Sequence, residues 1–101
     1  MPTQPIDTKT LTFQDFAAQL RAQGFDEVME REYRPLAVID THVHHFAAKA
    51  LVVRGEMWLT VGNHTQNIRA GGTFELEANT PHSERYGSEG ATYWVGRRQV
   101  R

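Results

Sequence analysis

Ala50-Leu51-Val52-Val53-Arg54-Gly55-Glu56-Met57-Trp58-Leu59-Thr60-Val61-Gly62-Asn63 is the stretch that sets the fold class. It holds two short runs of β-branched and large apolar residues, separated by Arg54-Gly55 and closed by Gly62-Asn63. Glycine and asparagine reach the positive-φ conformations that a two-residue hairpin needs, so this pair after an apolar run signals a tight reversal. The stretch reads as a buried strand ended by Arg54-Gly55, a second strand from Met57 to Val61, and a return strand over residues 64–69.

Toward the C-terminus, Ala70-Gly71-Gly72 turns the chain again. Phe74 and Leu76 then alternate with Glu75 and Glu77, the period of a half-buried strand with its acids in solvent. Asn79-Thr80-Pro81 predicts a turn, His82 to Tyr86 a short strand, Gly87 to Gly90 another turn, and Ala91 to Val95 the last strand. Toward the N-terminus, Leu36 to Asp40 follows Pro35, which ends an edge strand over 25–33. Before that, Thr12 is a helix N-cap with Asp15 at the N3 position. Phe13, Phe16, Ala17 and Leu20 recur at helical spacing, and Gly24 is a left-handed cap. This short amphipathic helix, residues 12–24, is expected to cover one face or end of a sheet. Residues 1–11 read as a loose lead-in, 25–96 as the β portion, and 97–101, with Arg97, Arg98 and Arg101, as a basic tail. One helix followed by roughly eight short strands with turn chemistry between them predicts an all-β antiparallel sandwich or barrel. The chain carries no repeat or linker, and 101 residues fit a single domain.

A net charge of −1 gives no electrostatic reason to expect nucleic acid or an anionic membrane. There is no cysteine, which excludes disulfides and thiolate ligands and leaves histidine and carboxylate as metal donors. No apolar run approaches the roughly 20 residues that span a bilayer, and the polar N-terminus lacks a signal-peptide core. A soluble, cytoplasmic protein is the expectation.

The chemistry concentrates in Asp40-Thr41-His42-Val43-His44-His45-Phe46, where three of the five histidines fall within four positions. Side chains two apart on a strand share a face, about 6.6 Å apart along the chain. His42 and His44 would present their imidazoles side by side, half of a metal site. The same parity turns Ala48, Ala50 and Val52 inward and puts Lys49 and Leu51 on the opposite face; His45 falls there too, toward the surface, unless a bulge turns it inward as a further ligand. His64, just after the hairpin turn, is expected in solvent. On the next strand Met57, Leu59 and Val61 are the more natural core, with Trp58 and Thr60 as the alternative inward set. Tyr86, Tyr93 and Trp94 are expected to pack, or else to line a pocket.

These residues resemble a small single-domain cupin, an RmlC-like double-stranded β-helix or jelly-roll barrel, over about residues 30–96. The first cupin motif reads G-x5-H-x-H-x3,4-E-x6-G. Here His42-Val43-His44 supplies its histidine pair and Gly55 its final glycine. The second reads G-x5-P-x-G-x2-H-x3-N, with Gly71 and His82 in register. The chain departs at Leu36 for the opening glycine, at Ala48 or Lys49 for the acid, and at Glu77, Asn79 and Tyr86 for proline, glycine and asparagine.

The resemblance implies a metal held by His42, His44 and His82. Three imidazoles with an open position suit a divalent transition metal such as Zn, Ni, Fe or Cu. Lacking a carboxylate, such a site keeps the full charge of the ion and favours an anionic ligand. The function implied is the binding or transformation of a small organic acid or carbohydrate-like molecule in the barrel, with no catalytic residue assigned. The alternative is a non-catalytic ligand-binding or structural cupin module without metal, similar to the sensing barrel of AraC-type regulators. Small cupins commonly dimerise through exposed sheet, and Leu51 and Val53 are the candidate surface for a homodimer.

Overall fold

The computed structural model describes residues 10–99. Most of the expected lead-in, and Arg101, lie outside the described residues. Helix α1 (Phe13–Ala22) starts with the capping box the sequence predicts: the Thr12 hydroxyl accepts from the Asp15 amide, and the Asp15 carboxylate accepts from the Thr12 amide. Gly24, at φ 94°, ends it. The strands are β1 (Glu27–Tyr33), β2 (Val38–His42), β3 (Phe46–Val61), β4 (His64–Arg69), β5 (Thr73–Leu76) and β6 (His82–Gln99).

Every ladder is antiparallel. Strands β3 and β6 run beside each other along most of their length and are long enough to serve two half-sheets. In one half, β1 pairs with residues 91–97 of β6, which pair with the start of β3, which pairs with β5. In the other, β2 pairs with the start of β6, which pairs with the end of β3, which pairs with β4. Folding each long strand at its middle brings these halves face to face, the jelly-roll arrangement.

The breaks expected at Arg54-Gly55 and Gly87 to Gly90 are therefore bends inside continuous strands, not loops. The register shifts on both sides of Arg54-Gly55, and Gly55 and Gly90 take φ of 81° and 72°. A Cβ on Gly55 would run into the Gly90 carbonyl, and one on Gly90 into the Tyr33 carbonyl, so backbone meets backbone where the strands cross. The hairpin at Gly62-Asn63 forms as expected, with Val61 opposite His64.

Two apolar clusters result. The barrel interior holds Ala48, Ala50, Val52, Met57, Leu59, Ile68, Phe74, Tyr86, Tyr93 and Val95. The inward set on the second half of β3 is thus Met57 and Leu59, with Val61 packed against them. Trp58 lies on the other face under the Arg85 guanidinium. The second cluster lies outside the barrel, where Phe16, Leu20 and Phe25 close over Leu51 and Trp94. The Trp94 ring meets Phe13 edge-on at 5.6 Å, and its Nε1–H donates to Glu30 at 3.0 Å. This corrects half of the expected dimer surface: Leu51 is fully buried beneath the helix, while Val53 is only half-buried at the edge of the same cluster. The basic tail is corrected too. Strand β6 runs on to Gln99, with Arg97 paired to both Glu27 and Ala48.

Candidate metal centre

His42 ends β2 and stands directly opposite His82, which begins β6. His44 lies beyond the regular strand, in the connection to β3. Strand parity alone does not hold it there. The Asn79 amide donates to the His44 carbonyl at 2.7 Å, and Asn79 Oδ1 bonds the His45 ring at 2.9 Å. Asn79 makes both contacts from a left-handed conformation, φ 65°, at the position where the cupin motif has glycine. His45 is thereby held at the surface, as expected, and His64 is exposed. Lys49 points away from the barrel and donates to Gln23 at 3.0 Å, while Ala48 faces inward.

The three imidazoles converge. Ring centroids are 4.3 Å apart for His42 and His82, 4.8 Å for His42 and His44, and 5.3 Å for His44 and His82. One ring nitrogen from each falls within 4.8 Å of the others. Two of the rings are oriented by their own strands: His42 Nδ1 bonds the Asp40 carbonyl and His82 Nδ1 the Thr80 carbonyl, each at 2.8 Å. A carbonyl oxygen only accepts, so Nδ1 carries the proton, and in the neutral ring the lone pair sits on Nε2, turned toward the cluster. Backbone contacts of this kind orient metal-binding histidines. The pKa of His44 is lowered, first by burial and then by the neighbouring His42, His82 and Arg97, which keeps its ring neutral and able to donate a lone pair.

Glu84 is the residue sequence reasoning missed. Its carboxylate is buried, with Oε2 3.6 Å from His42 Nε2 and 3.7 Å from His82 Nε2. The signal was present: His82, Glu84 and Tyr86 alternate along one strand, so an inward His82 makes Glu84 inward as well. The other carboxylate oxygen accepts from the Tyr86 hydroxyl. Tyr86 stacks on Tyr33 at 4.4 Å, and the Tyr93 hydroxyl reaches Tyr33 at 3.3 Å. Burial pushes the Tyr86 and Tyr93 phenols far above their ordinary range, with the Glu84 charge adding to the effect, so both remain protonated donors.

The cluster opens into a cavity of about 240 Å³. Its walls include Ile39, Phe74, Leu76 and Val95, and Arg31 and Arg97 also line it. The Arg97 guanidinium lies 4.5 Å from the Phe46 ring centroid, and that ring stacks on His44 at 4.7 Å. Among the described residues neither arginine is paired with a carboxylate. The site thus offers three imidazoles, one carboxylate and two cations around a small, partly apolar space.

Residues 24–99 match the family model of the AraC-like ligand binding domain. The chain belongs to this family. A search of curated protein sequences gave no match. Among solved structures, the AraC-like domain is similar to a DMSP lyase chain at TM-score 0.67 and 22% identity, over 72% of this chain and 38% of that one. An oxalate decarboxylase of Lactobacillus farciminis in complex with formate aligns at 0.66 and 22%, over 71% and 23%. An RmlC-like cupin from Shewanella frigidimarina aligns at 0.61 and 20%, over 70% and 66%. The domain spans well under half the length of the two enzymes, and these likenesses show its fold, the cupin jelly roll. No helix among the described residues is long and apolar enough to cross a membrane.

Proposed function

We propose that this AraC-like domain is a metal-centred cupin that binds a small carboxylic acid in its barrel, with His42, His44 and His82 holding a divalent transition metal. The observation that carries the reading is the convergence of the three imidazoles at one wall of the cavity, two of them with Nδ1 tied to backbone carbonyls. Imidazole donors suit Zn, Fe, Ni or Cu. A bound ion would supply Lewis acidity, polarising the carboxylate or carbonyl group of the ligand.

An acid is favoured over a neutral carbohydrate by Arg31 and Arg97, two cavity cations without a carboxylate partner among the described residues. Guanidinium groups recognise carboxylates in two-pronged fashion, and Arg97 is kept in place by its stack on Phe46. The formate complex of a fold neighbour supports the same ligand class.

Metal analysis of protein purified without a histidine tag tests the centre. Near-stoichiometric Zn, Ni, Fe or Cu is expected, lost in His42→Ala. Metal-free protein whose stability is unchanged by His82→Ala would sink the reading. The ligand class is tested by thermal shift with ketoacids against neutral sugars. An acid at about 100 times its Kd should stabilise by about 2.7 kcal/mol, with the shift reduced in Arg97→Met. Equal shifts from sugars would refute the carboxylate assignment. Product formation in the same ketoacid samples separates an enzyme from a binding module.

A further inference from the structure

The acid of the first cupin motif falls at Ala48 or Lys49, and neither residue can replace it: Ala48 has no donor atom, and Lys49 points away toward Gln23. A buried carboxylate nevertheless stands at the histidine cluster, on a different strand. We propose that Glu84 is the fourth protein ligand of the metal centre, supplied from β6 where the motif would supply an acid from β3. The proposal rests on the metal reading above and adds to it the identity of the anionic ligand.

The distances fit. Donor atoms about 2.0–2.2 Å from a first-row ion in tetrahedral geometry lie about 3.3–3.6 Å from one another. Glu84 Oε2 lies 3.6 Å from His42 Nε2 and 3.7 Å from His82 Nε2, too long for a hydrogen bond and close to the ligand-to-ligand spacing. The electrostatics agree. With both Nδ1 protons committed to backbone carbonyls, a neutral ring at either position turns its lone pair toward Oε2. Two lone pairs and a carboxylate oxygen gathered at side chains 28%, 4% and 7% exposed repel one another, and a shared cation turns that repulsion into attraction.

The carboxylate is also held in the orientation a ligand needs. Oε1 accepts from the Tyr86 hydroxyl, a phenol locked in the barrel by its stack on Tyr33, which leaves Oε2 aimed at the histidines. Outer contacts of this type fix ligating carboxylates. With Glu84 bound, the ion's net charge falls by one, and Arg31 and Arg97 take a larger share in attracting an anion.

Co²⁺ titration by calorimetry and visible absorption tests the assignment in the intact chain. Glu84→Gln preserves size and an acceptor for Tyr86 but removes the charge. It should lose more Co²⁺ affinity than the about 100-fold upper range of a lost outer contact, and change the ligand-field bands. Tyr86→Phe leaves the carboxylate in place and should lose less than Glu84→Gln, within the about 10–100-fold of a lost outer contact. If Glu84→Gln does not fold by circular dichroism, Glu84→Asp, which withdraws the carboxylate by one methylene, is read instead and should show the same loss. Affinity within threefold of wild type with unchanged bands overturns the proposal while leaving the three-histidine centre standing. So does an equal loss in Tyr86→Phe, since Glu84 would then act only through that packed pair. Wild-type protein that binds no Co²⁺ overturns this proposal and the metal reading together.

Discussion

Leu36 sits at φ 60° with its side chain 71% exposed. A left-handed conformation costs a residue with a Cβ about 1–2 kcal/mol, and so exposed a side chain returns little packing for it. This is the position where the cupin motif has glycine. Leu36→Gly relieves the strain but adds backbone entropy to the unfolded chain, a cost of about 0.5–1 kcal/mol. The net expectation is a gain of about 0.5–1 kcal/mol, read as a higher urea midpoint at unchanged slope. A lower midpoint would mean that the side chain packs better than its exposure indicates. Asn79, also left-handed, is a different case, since its side chain and amide hold His45 and His44. The sequence showed both departures from glycine, but only the structure shows that one contributes to the site and the other does not. Glu84 makes the same point in reverse. Parity from His82 was enough to turn it inward, yet the motif directed attention to Ala48 and Lys49 for the acid.

At the scale of elements, the turns and alternation were legible because each is a local property. Gly62-Asn63, Ala70-Gly71-Gly72 and the Phe74/Leu76 alternation all stand where they were read. Two things were not legible. Arg54-Gly55 and Gly87 to Gly90 look like loops in one dimension, and only the approach of Gly55 to Gly90 turns them into bends of continuous strands. Likewise, an outward Leu51 can meet either a partner subunit or the chain's own helix, and periodicity does not distinguish them. The helix answers through Phe16 and Leu20, which bury Leu51 completely beside Trp94. Leu51→Ala should therefore cost about 2–5 kcal/mol, the range for buried leucine truncation. Phe16→Ala, from the other side of the same contact, should cost about 3–5 kcal/mol. Because the two residues belong to one cluster, the double variant should lose less than the sum. Strict additivity in chemical denaturation would show that helix and sheet do not share this core.

For the whole molecule, a net charge of −1 hides a strongly local distribution. Arg31, Arg97, His42, His44 and His82 face one cavity, with Glu84 as the carboxylate among its lining residues. Protonating His44 in that cavity opposes folding. The His44 pKa is lowered in the folded protein, first by burial and then by His42, His82 and Arg97, with Glu84 opposing. The unfolded chain keeps an ordinary value near 6.5. As pH falls through about 6.5 the unfolded state takes up a proton that the folded state resists, so stability declines, and the decline ends below the folded value. Above about pH 7 His44 makes no such contribution. Metal sharpens the trend, because a bound ion requires neutral imidazoles and is displaced by the same protons. The urea midpoint of chelator-treated protein should therefore fall between pH 7 and pH 5.5, and fall further when saturating metal is present at the higher pH. His44→Gln removes the titrating ring and should flatten the slope of the metal-free protein. An identical slope in that variant would place the acid sensitivity elsewhere, and a metal-loaded slope no steeper than the metal-free one would mean that the ion does not compete with protons for these rings.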